Sequence, residues 1–354
     1  MSLQQYQQLY QQHRHDILNE RRSRLADHPE PIATTWSLAF QRVQERNAAA
    51  ADLLRLCAFL APNAIPEELI TEGMKVLTDT RPPSSRRGFS WFGKRKEHLS
   101  ARSDLTSLAT DPQQFNQAIE VLRAYSLLDR NPRTRQLSIH RLVQAVLKDQ
   151  MNAATEKLWA ERTVQVVGAV FPDVEHKTWP LCERLLPHVL LAADMIELHQ
   201  FVFPAASRLL SQTAFYLEDR ARYGEAEPLY ERALQIRERQ LGGEHPATAT
   251  SLNNLALLYH KLGRIEDAER LFRQALAIWE RVLGPDHPDT ATSLFWLAVS
   301  HHQRRQYGQA QPLYERALAI YERVLGPDHP DTLSLRGHYA SLLRDMEGEV
   351  DEEK

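Results

Sequence analysis

The sequence has few residues of the kinds that interrupt helices or cross-link a chain. Of 354 residues, 13 are glycine and 2 are cysteine. Cys57 and Cys182 each lie in an apolar helical pattern, which excludes a disulfide-rich scaffold and a cysteine-based zinc site and predicts buried thiols. The scarcity of glycine among abundant helix-forming residues predicts an almost all-α protein.

The sequence also lacks membrane segments and catalytic motifs. No run reaches the roughly 20 apolar residues that span a bilayer, and the start of the chain has no signal-peptide pattern, so we expect a cytoplasmic protein. The net charge is −3, with +5 in the first 150 residues and −8 in the rest, too mild an asymmetry to predict nucleic-acid binding. The P-loop, His-Glu-x-x-His, Gly-x-Ser-x-Gly and Cys-x-x-Cys motifs are absent. We therefore expect no enzymatic activity, no cofactor and no metal site.

The second half of the chain contains a repeat. Hexapeptides that begin and end with leucine start at residues 229, 271 and 313, and Leu-Gly-x-x-His-Pro starts at residues 241, 283 and 325, so the offset is 42 residues. Segments 275–290 and 317–332 differ at one position, where Trp279 corresponds to Tyr321. This is an internal repeat, which predicts a stacked array of like units.

Each unit contains two helical patterns separated by turn signals. Apolar residues fall on one face of each pattern: Leu252, Leu255, Ala256 and Tyr259, then Ala268, Phe272 and Ala275. One such pair cannot bury its apolar face alone, whereas stacked pairs can. The repeated pairs Glu244-His245, Asp286-His287 and Asp328-His329 predict a cap at each helix start rather than catalytic groups. Counting by the offset predicts an array over residues 205–346, with three repeats, the first degenerate, and a capping helix, followed by an acidic tail, residues 347–354.

The first half is irregular. Residues 1–30 predict a helical segment. Residues 31–151 predict several helices, a short β-hairpin around residues 131–134 and a further helix, an order that is typical of a winged helix. Residues 79–98 predict a basic loop with interleaved aromatic residues, which fits either a solvated insertion or contact with nucleic acid or membrane. Residues 152–204 predict a helical bridge to the array.

The apolar order of the repeat resembles the signature of a tetratricopeptide repeat, and the 42-residue form with Leu-Gly-x-x-His-Pro is similar to the repeats of kinesin light chain. This resemblance implies a concave groove, lined by the first helix of each pair, that binds a peptide or protein segment. The groove residues implied are Arg208, Ser211, Phe215, Thr250, Asn253, Leu257, His260, Lys261, Thr292, Phe295, Val299 and His302. Asn253 and Asn254 match asparagines that contact extended peptides in such repeats. Phe295 fits either an apolar anchor in the groove or a residue packed between helices.

The first 150 residues resemble the helical and winged-helix segment that follows the nucleotide-binding core in bacterial STAND-type (NB-ARC) NTPases. The resemblance rests on Thr35–Leu38, the apolar helix ending at Pro62, Ile65–Leu69 and Leu137–Val143. It implies that His140 contacts ADP bound to such a core, although Arg141 stands where the family has aspartate. In the chain alone, His140 is expected to start a helix. Since the P-loop is absent, the core is expected before Met1 or on a separate chain.

Two functions follow as hypotheses. The first is an interaction module that binds a peptide or protein in the groove, as the C-terminal part of a STAND-type signalling protein. The alternative is a regulatory fragment of a nucleotide-switched NTPase, whose winged-helix part contacts ADP held by a separate or missing NB-ARC core.

Overall fold

The computed structural model describes residues 32–79 and 104–352. The predicted segment 1–30, the basic loop 79–98 apart from Asp79, and residues 353–354 lie outside these ranges. Within them the chain is almost entirely helical with one small sheet, which confirms the predicted fold class. No helix in that part of the chain is both long and apolar enough to cross a membrane.

The chain divides into two compact units. Unit 1 comprises residues up to 172 together with 180–201, and unit 2 comprises 173–179 together with all residues from 202. The helices of unit 1 are α1 (Ile32–Arg46), α2 (Ala48–Ala58), α3 (Glu67–Gly73), α4 (Lys75–Asp79), α5 (Asp104–Thr110), α6 (Pro112–Ala124), α7 (Arg141–Asp149), α8 (Ala153–Val170) and α9 (Trp179–Leu198), of which Trp179 belongs to unit 2. Its strands are β1 (Ile65–Pro66), β2 (Asp129–Asn131) and β3 (Gln136–Ser138).

The hairpin that the sequence predicts is present. β2 and β3 pair antiparallel with Arg130 opposite Leu137, and the Asn131 side chain accepts a hydrogen bond from the backbone N–H of Arg133 at 3.0 Å, which stabilises the turn. β1 pairs with the other edge of β3, with Ile65 opposite Leu137. This strand was not predicted, because two residues are too few to show an alternating pattern.

Helix α2 forms the centre of unit 1. It starts at Asn47, whose side chain caps the helix by accepting from the N–H of Ala50 at 2.9 Å, and its leucines are fully buried against α5, α6 and α7. At the neighbouring contact of α3 with α8, a Cβ added to Gly73 would lie 2.6 Å from both the side chain and the carbonyl oxygen of Val166. Only glycine therefore permits this approach.

Unit 2 is built from helix pairs. Its helices are α10 (Pro204–Asp219), α11 (Tyr223–Leu241), α12 (Pro246–Lys261), α13 (Ile265–Val282), α14 (Pro288–Gln303), α15 (Tyr307–Val324) and α16 (Pro330–Glu352). Within this part of the chain α10 packs on α11, α12 on α13 and α14 on α15, while α16 packs on α15 and has no second helix of its own among the described residues. The predicted array of helix pairs is confirmed.

The chain turns at equivalent positions of each repeat, where the backbone has a positive φ angle. Ala221, Gly263 and Arg305 have φ of 57°, 75° and 57° within the pairs, and Gly242, Gly284 and Gly326 have φ of 88°, 94° and 94° between them. The histidines after the second set cap the next helix, since the Nδ1 atoms of His245, His287 and His329 accept backbone N–H groups at 3.1, 3.2 and 3.2 Å. This confirms the predicted caps and assigns each to the histidine of its acidic-His pair.

The core of unit 2 also follows the 42-residue offset. The second helix of each pair buries two small residues and one aromatic residue: Ala226, Tyr230 and Ala233, then Ala268, Phe272 and Ala275, then Ala310, Tyr314 and Ala317. The last helix differs from the sequence prediction, which ended it at Met346. α16 continues to Glu352, because Gly348 is the one glycine in residues 347–352 and a single glycine costs only about 1 kcal/mol.

Candidate functional site

The predicted binding residues lie on α10, α12 and α14, the first helices of the three pairs; we call this set of residues the groove face. On α10, Arg208 is exposed and its Nη2 lies 2.9 Å from Asp173 Oδ1, while Phe215 is 41% exposed. Ser211 is buried. Phe215 is therefore the most accessible aromatic side chain of this helix.

Lys261, at the end of α12, joins α12 to α10 through a buried carboxylate. Its Nζ lies 2.7 Å from Glu218 Oε1, and the hydroxyl of Tyr230 donates to Glu218 Oε2 at 2.8 Å. Burial, followed by the charge of Glu218, raises the pKa of Tyr230 above its usual range. The phenol therefore stays protonated and remains a donor, so that Glu218 is satisfied on both oxygens.

The middle of the groove face is formed by α12. Thr250 is exposed and donates to the carbonyl of Pro246 in its own helix at 3.2 Å, and Leu257 is half-buried. Asn253 is half-buried, and its Oδ1 is inaccessible to water without a hydrogen-bond partner among the described residues. His260 is half-buried with its ring 5.3 Å from that of Trp296; burial lowers its pKa, and a hydrogen bond with Gln303 opposes this shift.

The groove face continues on α14 with residues that are more firmly packed. The hydroxyl of Thr292 is hydrogen-bonded to that of Tyr321 at 2.8 Å. Phe295 is half-buried, with its ring 6.1 Å from Tyr314 and 5.2 Å from His338. Val299 is buried and offers the least surface to a ligand.

His302 lies where α14 meets α16. Its Nε2 lies 2.8 Å from Asp345 Oδ2, and its ring lies edge-on to Tyr307 and Tyr314 at 5.8 and 6.3 Å. The side chain is therefore held by contacts within the chain on several sides.

Two residues that the sequence prediction left out contribute to this face. Trp296 is half-buried and stacks on Phe272 at 6.3 Å, with His260 at its edge, and Glu218 binds Lys261. The 42-residue offset could have identified both, because Trp296 corresponds to Asn254 and Glu218 to His260.

His140 is found in unit 1, at the start of α7. It is exposed, its Nδ1 accepts from the N–H of Leu142 at 3.2 Å, and its ring lies 6.2 Å from Trp36. It also lines an open cavity of about 460 Å³ together with Asn63, Arg123, Ser126, Leu127, Leu128, Asp129, Ser138 and Ile139. Its capping bond agrees with the expectation that it starts a helix.

Within residues 32–79 and 104–352, no group of three or more histidine, cysteine, aspartate or glutamate side chains is arranged to hold a metal ion.

Two family descriptions match the sequence. The description "Tetratricopeptide repeat" matches residues 206–279, 252–322 and 292–352. A domain of unknown function, DUF7779, matches residues 39–156. The first match covers the helix pairs and α16, and the second covers most of unit 1.

The sequence is also similar to that of a protein described as NLR-like. The chain is 30% identical over 227 residues to a "Nucleotide-binding leucine-rich repeat (NLR)-like protein" of Hyaloscypha variabilis, a match that covers 63% of this chain and 19% of that protein. The chain thus spans about a fifth of this relative.

Solved structures that the chain resembles include repeats of a putative kinesin light chain of Podosopora anserina, with 24% identity, a TM-score of 0.39 and coverage of 51% of this chain and 91% of that one. A STAND protein of Pyrococcus horikoshii with a tetratricopeptide repeat sensor shows 12% identity, a TM-score of 0.36 and coverage of 97% and 59%.

The repeat match and the helix pairs agree on the architecture of unit 2. The three matched segments follow one another along the helix pairs into α16, and equivalent positions are buried in each pair. The second half of this chain is an array of tetratricopeptide repeats.

Proposed function

We propose that the array is a protein-interaction module that binds an extended peptide, or an extended segment of a partner protein, along the groove face. Stacked repeats present their first helices side by side, which gives a continuous surface that a single helix pair lacks. We take this surface as the binding site and the side chains of the groove face as the groups that contact the ligand.

Asn253 carries the proposal. Its buried Oδ1 has no hydrogen-bond partner within the described part of the chain, and a buried acceptor in that state costs about 1–3 kcal/mol. We propose that the amide of this half-buried side chain rotates when a peptide binds, so that its oxygen or its NH₂ group faces the ligand. The backbone of an extended peptide offers both a donor and an acceptor, so a bound peptide relieves this cost.

Apolar side chains on either side of Asn253 favour an apolar ligand. Phe215 is 41% exposed, and Leu257, Phe295 and Trp296 are half-buried. Alternate side chains of an extended peptide point to the same side. We therefore expect the preferred ligands to carry large apolar residues at alternate positions.

We expect the charged residues of the groove face to contribute less to ligand binding than the apolar ones. Arg208 pairs with Asp173, Lys261 with Glu218, and His302 with Asp345. Because these partners lie within the chain, a ligand carboxylate gains little by displacing them. We expect binding that changes little when the salt concentration is raised.

Selection from a phage-displayed library of random linear peptides tests the proposal. The full chain should enrich peptides with alternating apolar residues, and Asn253→Ala and Phe215→Ala should each weaken the binding of an enriched peptide about tenfold, as expected for the loss of ~1.4 kcal/mol. Leu241→Ala is the matched control, since Leu241 is exposed at the end of α11 and lies outside the groove face. Failure to enrich any peptide, or equal affinity of all four proteins, would contradict the proposal.

We further propose that the chain is the C-terminal part of a STAND-type signalling protein in the cytoplasm. In this view residues 31–151 form a winged-helix-like domain and residues 152–204 bridge it to the array of 205–346. Support comes from the order of α2, β1, α3–α6 and the β2–β3 hairpin, and from the similarity to an NLR-like protein of which this chain spans a fifth. Both cysteines are buried, which agrees with a reducing compartment.

The alternative role, in which His140 contacts ADP held by an NB-ARC core, draws support from its position beside Arg123 and Ser126 at the open cavity. Sequencing the reading frame upstream of Met1 tests both ideas. An in-frame P-loop motif would support them, and ADP titration of the longer protein with His140→Ala should then show weaker binding. If the frame contains no such motif and no separate NB-ARC chain binds this protein, both ideas fail, while the proposal for the groove face stands or falls by its own test.

A further inference from the structure

One face of α16 differs from the equivalent faces of the other first helices. In α12 and α14 this face is buried under the second helix of the pair: Ala249, Leu252, Ala256 and Tyr259 in α12, and Ala291, Leu294, Ala298 and His301 in α14. The offset of 42 residues places Leu333, Arg336, Ala340 and Leu343 of α16 at these positions. With Glu347, one further step along the helix, we call them the outer face of α16.

The outer face of α16 is uncovered. Leu333 is 50% exposed and Leu343 is 38% exposed, and Arg336, Ala340 and Glu347 are exposed as well. No helix follows α16 within the described residues to cover them. α12 and α14 end at Lys261 and Gln303, which correspond to Asp345, whereas α16 continues without a turn to Glu352.

The residues of this face are spaced as in a two-helix interface. Residues 333, 336, 340, 343 and 347 alternate steps of three and four, which is the heptad spacing that keeps one stripe of a helix against a partner helix. The second helix of a repeat covers its partner in the same way. An uncovered stripe of this kind therefore predicts another helix as its partner.

We propose that the outer face of α16 binds the outer face of α16 in a second copy of this chain, with the two helices antiparallel. In this register Ala340 lies against the partner's Leu343 and Arg336 lies against the partner's Glu347. Two-fold symmetry repeats both contacts. The small residue makes room for the large one, and each end of the interface gains an ion pair.

Charge selects the antiparallel arrangement. Arg336 donates to Glu322 Oε1 at 2.6 Å, which occupies one of the five N–H donors of its guanidinium group and leaves others for the partner's Glu347. A parallel arrangement would place Arg336 beside the partner's Arg336 and Glu347 beside the partner's Glu347. Like charges at such positions oppose association.

The interface is short, so the dimer should be weak. From residue 336 to residue 347 the helix extends about 17 Å, and one helix contact of this length lies at the low end of specific interfaces. We expect the monomer and the dimer to coexist at tens of micromolar. This inference is independent of the peptide-binding proposal, which concerns the other face of the array.

Sedimentation equilibrium of the full chain, from about 1 to about 200 µM, tests the inference. The mean molar mass should rise towards twice the monomer mass, and Leu343→Glu, which places a carboxylate against the partner's Ala340, should keep the protein monomeric. Val282→Glu is the matched control, because Val282 is 44% exposed at the end of α13 and lies outside the outer face. Far-UV circular dichroism identifies any variant that fails to fold.

A charge exchange distinguishes this interface from any other. Glu347→Arg alone and Arg336→Glu alone should each be monomeric, because each places like charges opposite one another twice. An equimolar mixture of the two variants should form a heterodimer, since every opposed pair is then complementary.

The inference is wrong if the unmodified chain stays monomeric over the whole range. It is also wrong if the dimer survives Leu343→Glu, or if the mixed charge variants stay monomeric while both remain folded.

Discussion

His188 should make the stability of unit 1 depend on pH. This residue of α9 is buried, and its Nδ1 accepts a hydrogen bond from the backbone N–H of Ala61 at 3.1 Å. Burial lowers the pKa of His188 from 6.5 to about 4, and a hydrogen bond with the backbone of Ala64 opposes part of this shift. A proton on Nδ1 would meet the N–H donor of Ala61, so the folded state keeps the ring neutral.

The sign and the size of the effect follow from the difference between the folded and the unfolded pKa of His188. Because the folded pKa lies below the unfolded pKa, the unfolded state binds a proton first, and stability is full above the unfolded value and falls as the pH drops towards the folded one. With pKa values of 6.5 and about 4, lowering the pH from 7 to 5 should cost about 2 kcal/mol from this residue alone.

Hydrogen exchange measures the loss of stability in the helices that surround His188. The opening free energy of peptides from α2 and α9 should be determined at pH 7 and pH 5, after correction for the intrinsic exchange rate. His188→Gln retains an acceptor for Ala61 but cannot titrate, so its peptides should lose about 2 kcal/mol less than those of the original protein. His176→Gln is the control, since His176 is exposed. If His188→Gln and the original protein lose the same stability, the ring is not held neutral by burial and the reasoning fails.

Two further predictions concern caps and buried charge. His287→Ala removes the acceptor for the N–H of Asp289 and should reduce the exchange protection of the first turn of α14 by about 1 kcal/mol, whereas His287→Asn, which still caps, should not; equal effects would argue against the cap. Arg130→Met removes the guanidinium nitrogens that lie 2.6 and 2.8 Å from the oxygens of the buried Glu67, and the exposed Arg135, whose Nε lies 3.6 Å from Glu67 Oε2, remains as a weaker partner. This change should cost about 2 kcal/mol in urea denaturation, less than the loss of every partner of a buried charge. Adding Glu67→Gln should restore part of that loss, and no recovery would contradict a charge penalty.

The array could be predicted from the sequence because equivalent positions of a repeat pack in the same way and therefore carry similar residues. Ala226, Ala268 and Ala310 are buried in the same way, since each faces a like neighbour, and the turn at Gly263 recurs at the equivalent positions. The hairpin of unit 1 was predicted for a similar reason, because its two strands and the turn between them are adjacent in the sequence.

Pairings between distant residues could not be predicted in this way. His188 meets a backbone group 127 positions away, and Ile65 of β1 pairs with Leu137 of β3, which is 72 positions away. On the groove face, Thr292 has Tyr321 as a partner whereas Asn253 Oδ1 has none among the described residues, although the sequence assigns both to the same face. Helical periodicity assigns a residue to a face but does not identify its partner.

The sequence by itself determined the repeat, its helix pairs, its turns and the caps at its helix starts, because these depend on residues within one unit or on like units in contact. The tertiary structure decided which polar atoms remain unpaired, which charges are neutralised within the chain, and that the outer face of α16 is exposed. Each of these depends on which distant residues come within a few ångströms, and that is settled only when the helices pack.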